Sequence, residues 1–98
     1  ATEKFPQSEV FGLTHQIRRA SVSITSNIAE GFGRRSVKEK IHFYTIAHAS
    51  ISEVQNQILI GRDVHYINQE TFHKIATQSV SVSKLLNRLV STTRSLRT

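Results

Sequence analysis

The chain has 98 residues, a formal charge of +6, and 38% hydrophobic, 20% charged and 7% aromatic side chains. That length suits one domain, with burial of only about 60–70% of the unfolded chain's surface and a correspondingly modest core. The absence of cysteine excludes disulfides, thiolate metal sites and cysteine nucleophiles, and no apolar run approaches the ~20 residues of a membrane span.

Charge is unevenly distributed. All seven acids lie in residues 1–70 with eight of the thirteen bases, whereas residues 71–98 hold Lys74, Lys84, Arg88, Arg94 and Arg97 and no acid. Such a bias attracts polyanions. Methionine is absent, position 1 included, so we expect the chain to begin inside a longer product or after processing. No secretory leader opens it, and the expected compartment is the cytoplasm.

The only proline is Pro6, so nothing interrupts a helix further along. Leu13, Ile17, Ala20, Ile24, Ile28 and Ala29 recur at steps of three and four and predict a first helix over about 10–31, with a start after Gly12 as an alternative. Gly31 and Gly33 read as a helix end and turn, because glycine tolerates the left-handed backbone of a C-cap. Ser36-Val37-Lys38-Glu39 is a capping box opening a second helix over about 37–63. Its stripe is Tyr44, Ala47, Ile51, Val54 and Ile58. His65-Tyr66-Ile67 connects to Asn68, an N-cap. Phe72, Ile75, Ala76, Ser79, Val82, Leu86, Leu89 and Val90 then mark a third helix over about 69–95. Three long helices on short turns predict an all-α, antiparallel up-and-down bundle.

Little here points to chemistry. The five histidines offer no i,i+3 or i,i+4 pair to hold a metal. No two carboxylates are evidently paired for acid–base work, and neither a nucleophile elbow nor a phosphate-cradling loop is present. We read the chain as non-catalytic, with no metal and no cofactor. Three features remain. Arg34 and Arg35 with Lys38, Lys40 and His42 form a basic cluster at a helix entry, suited to phosphate. Lys74, Lys84 and Arg88 share one side of the last helix. The first helix carries a polar stripe that includes Gln16, Arg18, Arg19, Ser23, Asn27 and Glu30, suited to a buried network or a subunit interface.

The run Phe5-Pro6-Gln7-Ser8-Glu9-Val10-Phe11-Gly12-Leu13-Thr14-His15-Gln16-Ile17-Arg18-Arg19-Ala20 resembles a family signature. It continues through Ser23-Ile24-Thr25-Ser26-Asn27-Ile28-Ala29-Glu30-Gly31-Phe32-Gly33-Arg34, with support from Ser36-Val37-Lys38-Glu39, Ile46-Ala47 and Ser50-Ile51-Ser52-Glu53. The family is the bacterial four-helix-bundle proteins, or 23S rRNA intervening-sequence proteins, and the likeness covers about residues 4–67. Thr25 stands where the family usually has Pro, Gln55 where it often has Glu, and His65 where Gly commonly precedes Tyr66. Thr25 should make the first helix straighter. The resemblance implies a further helix upstream, ending at Phe5-Pro6, so that the helices here are the last three of a four-helix bundle. It also implies ring-like homo-oligomers, pentamers foremost, and nucleic-acid binding among related retroelement accessory proteins, with no enzymatic activity.

The reading is therefore a non-catalytic oligomeric accessory protein. RNA or DNA would meet Arg34, Arg35, Lys38, Lys40, Lys84 and Arg88. Gln16, Arg18, Arg19, Asn27, Glu30 and Glu53 would serve a structural or interface network. The rival reading is a protein-interaction scaffold with no nucleic-acid ligand. A membrane-surface role is disfavoured, since the basic last helix lacks a Trp-rich apolar face.

Overall fold

A computed structural model describes residues 7–96, and every regular element among them is a helix. Phe5-Pro6 and Arg97, which figured in the reading above, lie outside the described residues. The elements are α1 (Gln7–Gly33), α2 (Val37–Asp63) and α3 (Gln69–Ser95). They run antiparallel in sequence order. Ser23 of α1 meets Ser50 of α2 at 2.8 Å, and Gln55 of α2 meets Ser79 of α3 at 3.0 Å. Both α1 and α3 pack on α2, and neither packs on the other. The radius of gyration of 16.3 Å exceeds the about 12–13 Å of a compact chain of this length.

The central helix holds the core together. Tyr44, Ala47, Ile51, Val54 and Ile58 of α2 are buried, whereas α1 buries Ala20 and Gly31 and α3 buries Ser79, Leu86 and Thr93. Around this spine Ile17, Ile24 and Ile28 of α1 and Ile75, Val82 and Leu89 of α3 are only half-buried.

Two helix starts follow the expected chemistry. Ser36 Oγ accepts the amide of Glu39 at 3.0 Å, and Asn68 Oδ1 accepts the amide of Thr71 at 2.7 Å. The second half of the Ser36 box differs. The Glu39 carboxylate accepts from the Ser36 hydroxyl at 3.2 Å instead of reaching back to its amide. Thr25 sits within a continuous helix and donates to the Val22 carbonyl at 3.1 Å.

The glycines correct the expected first turn. α1 begins at Gln7, passes through Gly12, and continues through Gly31 to Gly33, and no described glycine has positive φ. Gly31 is there for closeness, since a Cβ on it would lie 2.6 Å from Tyr44 Cε1 and 3.1 Å from the Lys40 carbonyl. The left-handed residue is His65, at φ 64°. Tyr66 N–H donates to the Gly61 carbonyl at 2.7 Å and His65 N–H to the Arg62 carbonyl at 3.0 Å. These bonds form the Schellman termination of α2, with His65 in the place that favours glycine.

Gly31→Ala should destabilise the fold by about 1–3 kcal/mol through overpacking. Gly12→Ala, with nothing within 4 Å of its added methyl, should stabilise it by about 0.5–1 kcal/mol. Urea unfolding of the two variants reads both signs, and equal shifts would refute the close-approach role of Gly31. His65→Gly should raise the melting temperature by about 2–6 °C, the relief of left-handed strain exceeding glycine's added chain entropy. A thermal scan followed by circular dichroism checks this, and a fall would contradict the strain assigned to His65.

Candidate nucleic-acid interface

The cations near the α1–α2 turn divide into two kinds. Arg34 is held at the surface by partners of its own chain: its Nη2 lies 2.7 Å from Glu30 Oε2, its Nη1 3.5 Å from Glu39 Oε2, and its guanidinium stacks 4.8 Å from the Phe43 ring centre. Exposed ion pairs of this kind contribute little stability on their own, but the three contacts fix where the guanidinium points. Lys40 closes the end of α1, a helix with no base in its own last turn. Its Nζ donates to the carbonyls of Gly31 at 3.3 Å and Phe32 at 2.9 Å and lies 5.7 Å from the Phe32 ring centre. A cation there satisfies orphan carbonyls and the negative end of the helix dipole. Arg34 and Lys40, expected to face phosphate, are thus engaged within the chain.

Arg35 and Lys38 are exposed and make no hydrogen bond or ion pair among the described residues. Lys84 and Arg88 are likewise exposed and unpaired, on the side of α3 away from its buried Ser79 and Leu86. Their helix runs back toward the same turn, for Leu86, Leu89 and Val90 pack with Tyr44 and Ala47 near the start of α2. Arg88 and Arg94 therefore share an end of the molecule with Arg35 and Lys38. His42 meets Phe43 edge-on at 5.1 Å.

Of the residues expected to form a network, Gln16, Arg19, Asn27 and Glu53 gather around Ser23 along the α1–α2 seam, whereas Glu30 and Arg18 lie apart from them. Asn27 Nδ2 donates to the Ser23 carbonyl at 2.8 Å and to Ser23 Oγ at 3.1 Å, and Ser23 Oγ joins Ser50 Oγ across the α1–α2 seam. Gln16, Arg19 and Glu53 line a shallow groove with Ser23 and Gln57, without an ion pair between Arg19 and Glu53. Glu30 belongs to Arg34. Arg18 faces outward beside His15 and Val22. Sequence reasoning missed Ser50, the Gln55–Ser79 bond, and the stacking of Arg62 4.3 Å from the Phe72 ring centre. The i,i+4 spacing of Glu30 and Arg34 was the available signal for the exposed pair that engages Arg34.

Two tyrosines titrate above their ordinary range. Burial pushes Tyr44 up, with the Thr93 hydroxyl acting in the opposite sense. Tyr66 is raised first by its hydrogen bond to the Glu9 carboxylate, then by desolvation and by that charge. Among the described residues no three His, Asp or Glu side chains converge as a metal site would require, and no helix is long and apolar enough to cross a membrane.

The model of the 23S rRNA-intervening sequence protein family matches residues 1–88 of the chain. The chain belongs to that family. The match spans all of α1 and α2 and most of α3, and so includes the basic turn, the glycine contact at Gly31 and the exposed pair Lys84 and Arg88. A search of curated proteins finds no match. In this family member the turn separates helix-closing from displayed cations. Lys40→Ala should therefore cost about 1 kcal/mol, whereas Lys38→Ala should stay within about 0.5 kcal/mol of the parent. Thermal melts of both compare them, and equal effects would remove the capping role.

Proposed function

We propose that this chain is a non-catalytic, homo-oligomeric accessory protein of the cytoplasm that binds RNA or DNA through one basic end. The carrying observation is the lopsided charge. The end that holds the α1–α2 turn gathers Arg34, Arg35, Lys38, Lys40, Arg88 and Arg94 against Glu30 and Glu39. Of those six bases Arg35, Lys38, Arg88 and Arg94 have no hydrogen-bond or ion-pair partner among the described residues, and Lys84 extends the set along α3. The opposite end holds Arg62 and Lys74 against Glu9, Asp63 and Glu70. Phosphate contact by such a surface is largely independent of sequence and weakens with salt. The family's description, with its 23S rRNA intervening sequences, is compatible with this role. In a ring, a pentamer foremost, repeated basic ends would raise weak single-site affinity through avidity. In this reading a fourth helix packs beside the half-buried Ile17, Ile24 and Ile28 of α1 and Ile75, Val82 and Leu89 of α3.

Those same half-buried aliphatics favour a second reading, a scaffold that receives a partner protein's helix along that edge. Fluorescence anisotropy with labelled RNA over a salt series separates the two. The double change Arg35→Ala/Lys38→Ala should weaken binding and flatten the salt dependence by about one logarithmic unit of slope per lost contact, with the oligomer unchanged by light scattering. Binding unaffected by the double change would refute Arg35 and Lys38 as the contact, and a parent that binds no RNA at low salt would favour the scaffold.

A further inference from the structure

We propose that Phe32 is a stacking platform for one unpaired nucleobase, so that the basic end takes single-stranded RNA or DNA in preference to duplex. This assignment rests on the nucleic-acid reading above and narrows it to a substrate class.

An open aromatic ring stands among displayed cations. Of the described phenylalanines, Phe43 and Phe72 are half-buried, beneath Arg34 and Arg62 respectively. Phe11 is exposed at the other end of α1, where its ring stacks on that of His15 at 6.4 Å. Phe32 differs from all three. It is 70% exposed, and its aromatic contact among the described residues is with a cation, the Lys40 Nζ, 5.7 Å from the ring centre.

Isolated surface hydrophobics are ordinary. Phe32 is set apart by a fixed backbone and charged surroundings. Lys40 donates to the carbonyls of Gly31 and Phe32, and the Arg34 amide donates to the Gly31 carbonyl at 3.2 Å. The helix end beneath the ring is thereby pinned. Gly31 is buried against Tyr44, and one residue further the helix has turned by about 100°, away from that contact. Arg35 follows three residues after Phe32 and Lys38 six, both exposed and unpaired among the described residues. The two acids beside the turn are occupied, Glu30 by Arg34 and Glu39 by Arg34 and Ser36.

A nucleotide joins a flat π surface to a negative phosphate. An aromatic ring covers the one and a nearby cation takes the other, which is how single strands are held without sequence preference. In a duplex both faces of each internal base are covered by neighbouring pairs, so Phe32 has nothing to stack on. The duplex then offers only phosphates to Arg35 and Lys38. An apolar side chain of a protein would cover the ring equally well, but the cations around it select a polyanion. The two contacts also differ in their response to salt. Phosphate neutralisation sets the slope, and stacking adds affinity without changing it.

Fluorescence anisotropy on the 98-residue chain across a salt series tests this with three labelled probes of equal length: an unstructured single strand, a duplex, and a strand of abasic sites. The parent should bind the single strand about five- to hundredfold more tightly than the abasic strand. Phe32→Ala and Phe32→Leu should remove that margin with the salt slope unchanged, and should leave duplex and abasic binding within about twofold of the parent. Arg35→Ala/Lys38→Ala should weaken binding of all three and flatten the slope. Phe32→Trp should retain binding. The chain has no other tryptophan, so its fluorescence should be quenched by the single strand and not by the abasic one. Circular dichroism melts confirm that each variant is folded. Equal binding of the single-stranded and abasic probes, or single-strand binding indifferent to Phe32→Ala, overturns the platform and leaves phosphate contact standing. A parent that binds none of the three probes overturns the nucleic-acid reading together with the platform.

Discussion

Gly31 and Gly61 sit at opposite ends of the α1–α2 seam and set how near the two helices come. A Cβ on Gly31 would strike the Tyr44 ring, and one on Gly61 would lie 2.6 Å from Ile67 Cδ1 and 2.8 Å from Leu13 Cδ2. Between them Ala20, Ala47 and the Ser23–Ser50 pair keep the seam narrow. That narrowness lets two short hydroxyls reach each other directly, and it lets Lys40 cross from α2 to the last carbonyls of α1. The buried spine of α2 is covered from both sides only because one of its neighbours approaches this closely. Packing at native density then makes small changes of volume costly.

Much of the fold was legible in the sequence because helical periodicity is a property of one stretch of chain at a time. The stripes on Leu13–Ile28, Tyr44–Ile58 and Phe72–Val90 each announce a buried face, and Ser36 and Asn68 announce starts through bonds made within four residues. Gly31 was misread for the opposite reason. A glycine that turns the chain and one that admits a neighbouring ring look alike until Tyr44 is in place. His65 shows the converse, a left-handed position held by a residue whose composition gives no sign of it. The resemblance to a family with glycine there carried the hint.

The candidate site was legible in composition and only partly in arrangement. A basic residue beside a turn is read as displayed, yet display depends on what else can reach it. Glu30 and Phe43 reach Arg34 because both flank the turn. Lys40 finds the end of α1 because the seam is narrow. Arg35 and Lys38 point away from these partners and keep their charge in water. Surface cations on one helical hairpin thus differ in kind, and net charge overstates what a polyanion would meet.

Because α1 and α3 each pack on α2 and never on each other, every helix pairing joins neighbours in the chain. The connections are short, residues 34–36 and 64–68, so little loop-closure entropy opposes either pairing. Topologies built from such local contacts fold in about microseconds to milliseconds. The first hairpin can form as soon as α2 is available, before α3 has been synthesised. Nascent-chain order would then grow from the amino end, with the exposed aliphatics of α2 briefly open to solvent until the last helix arrives.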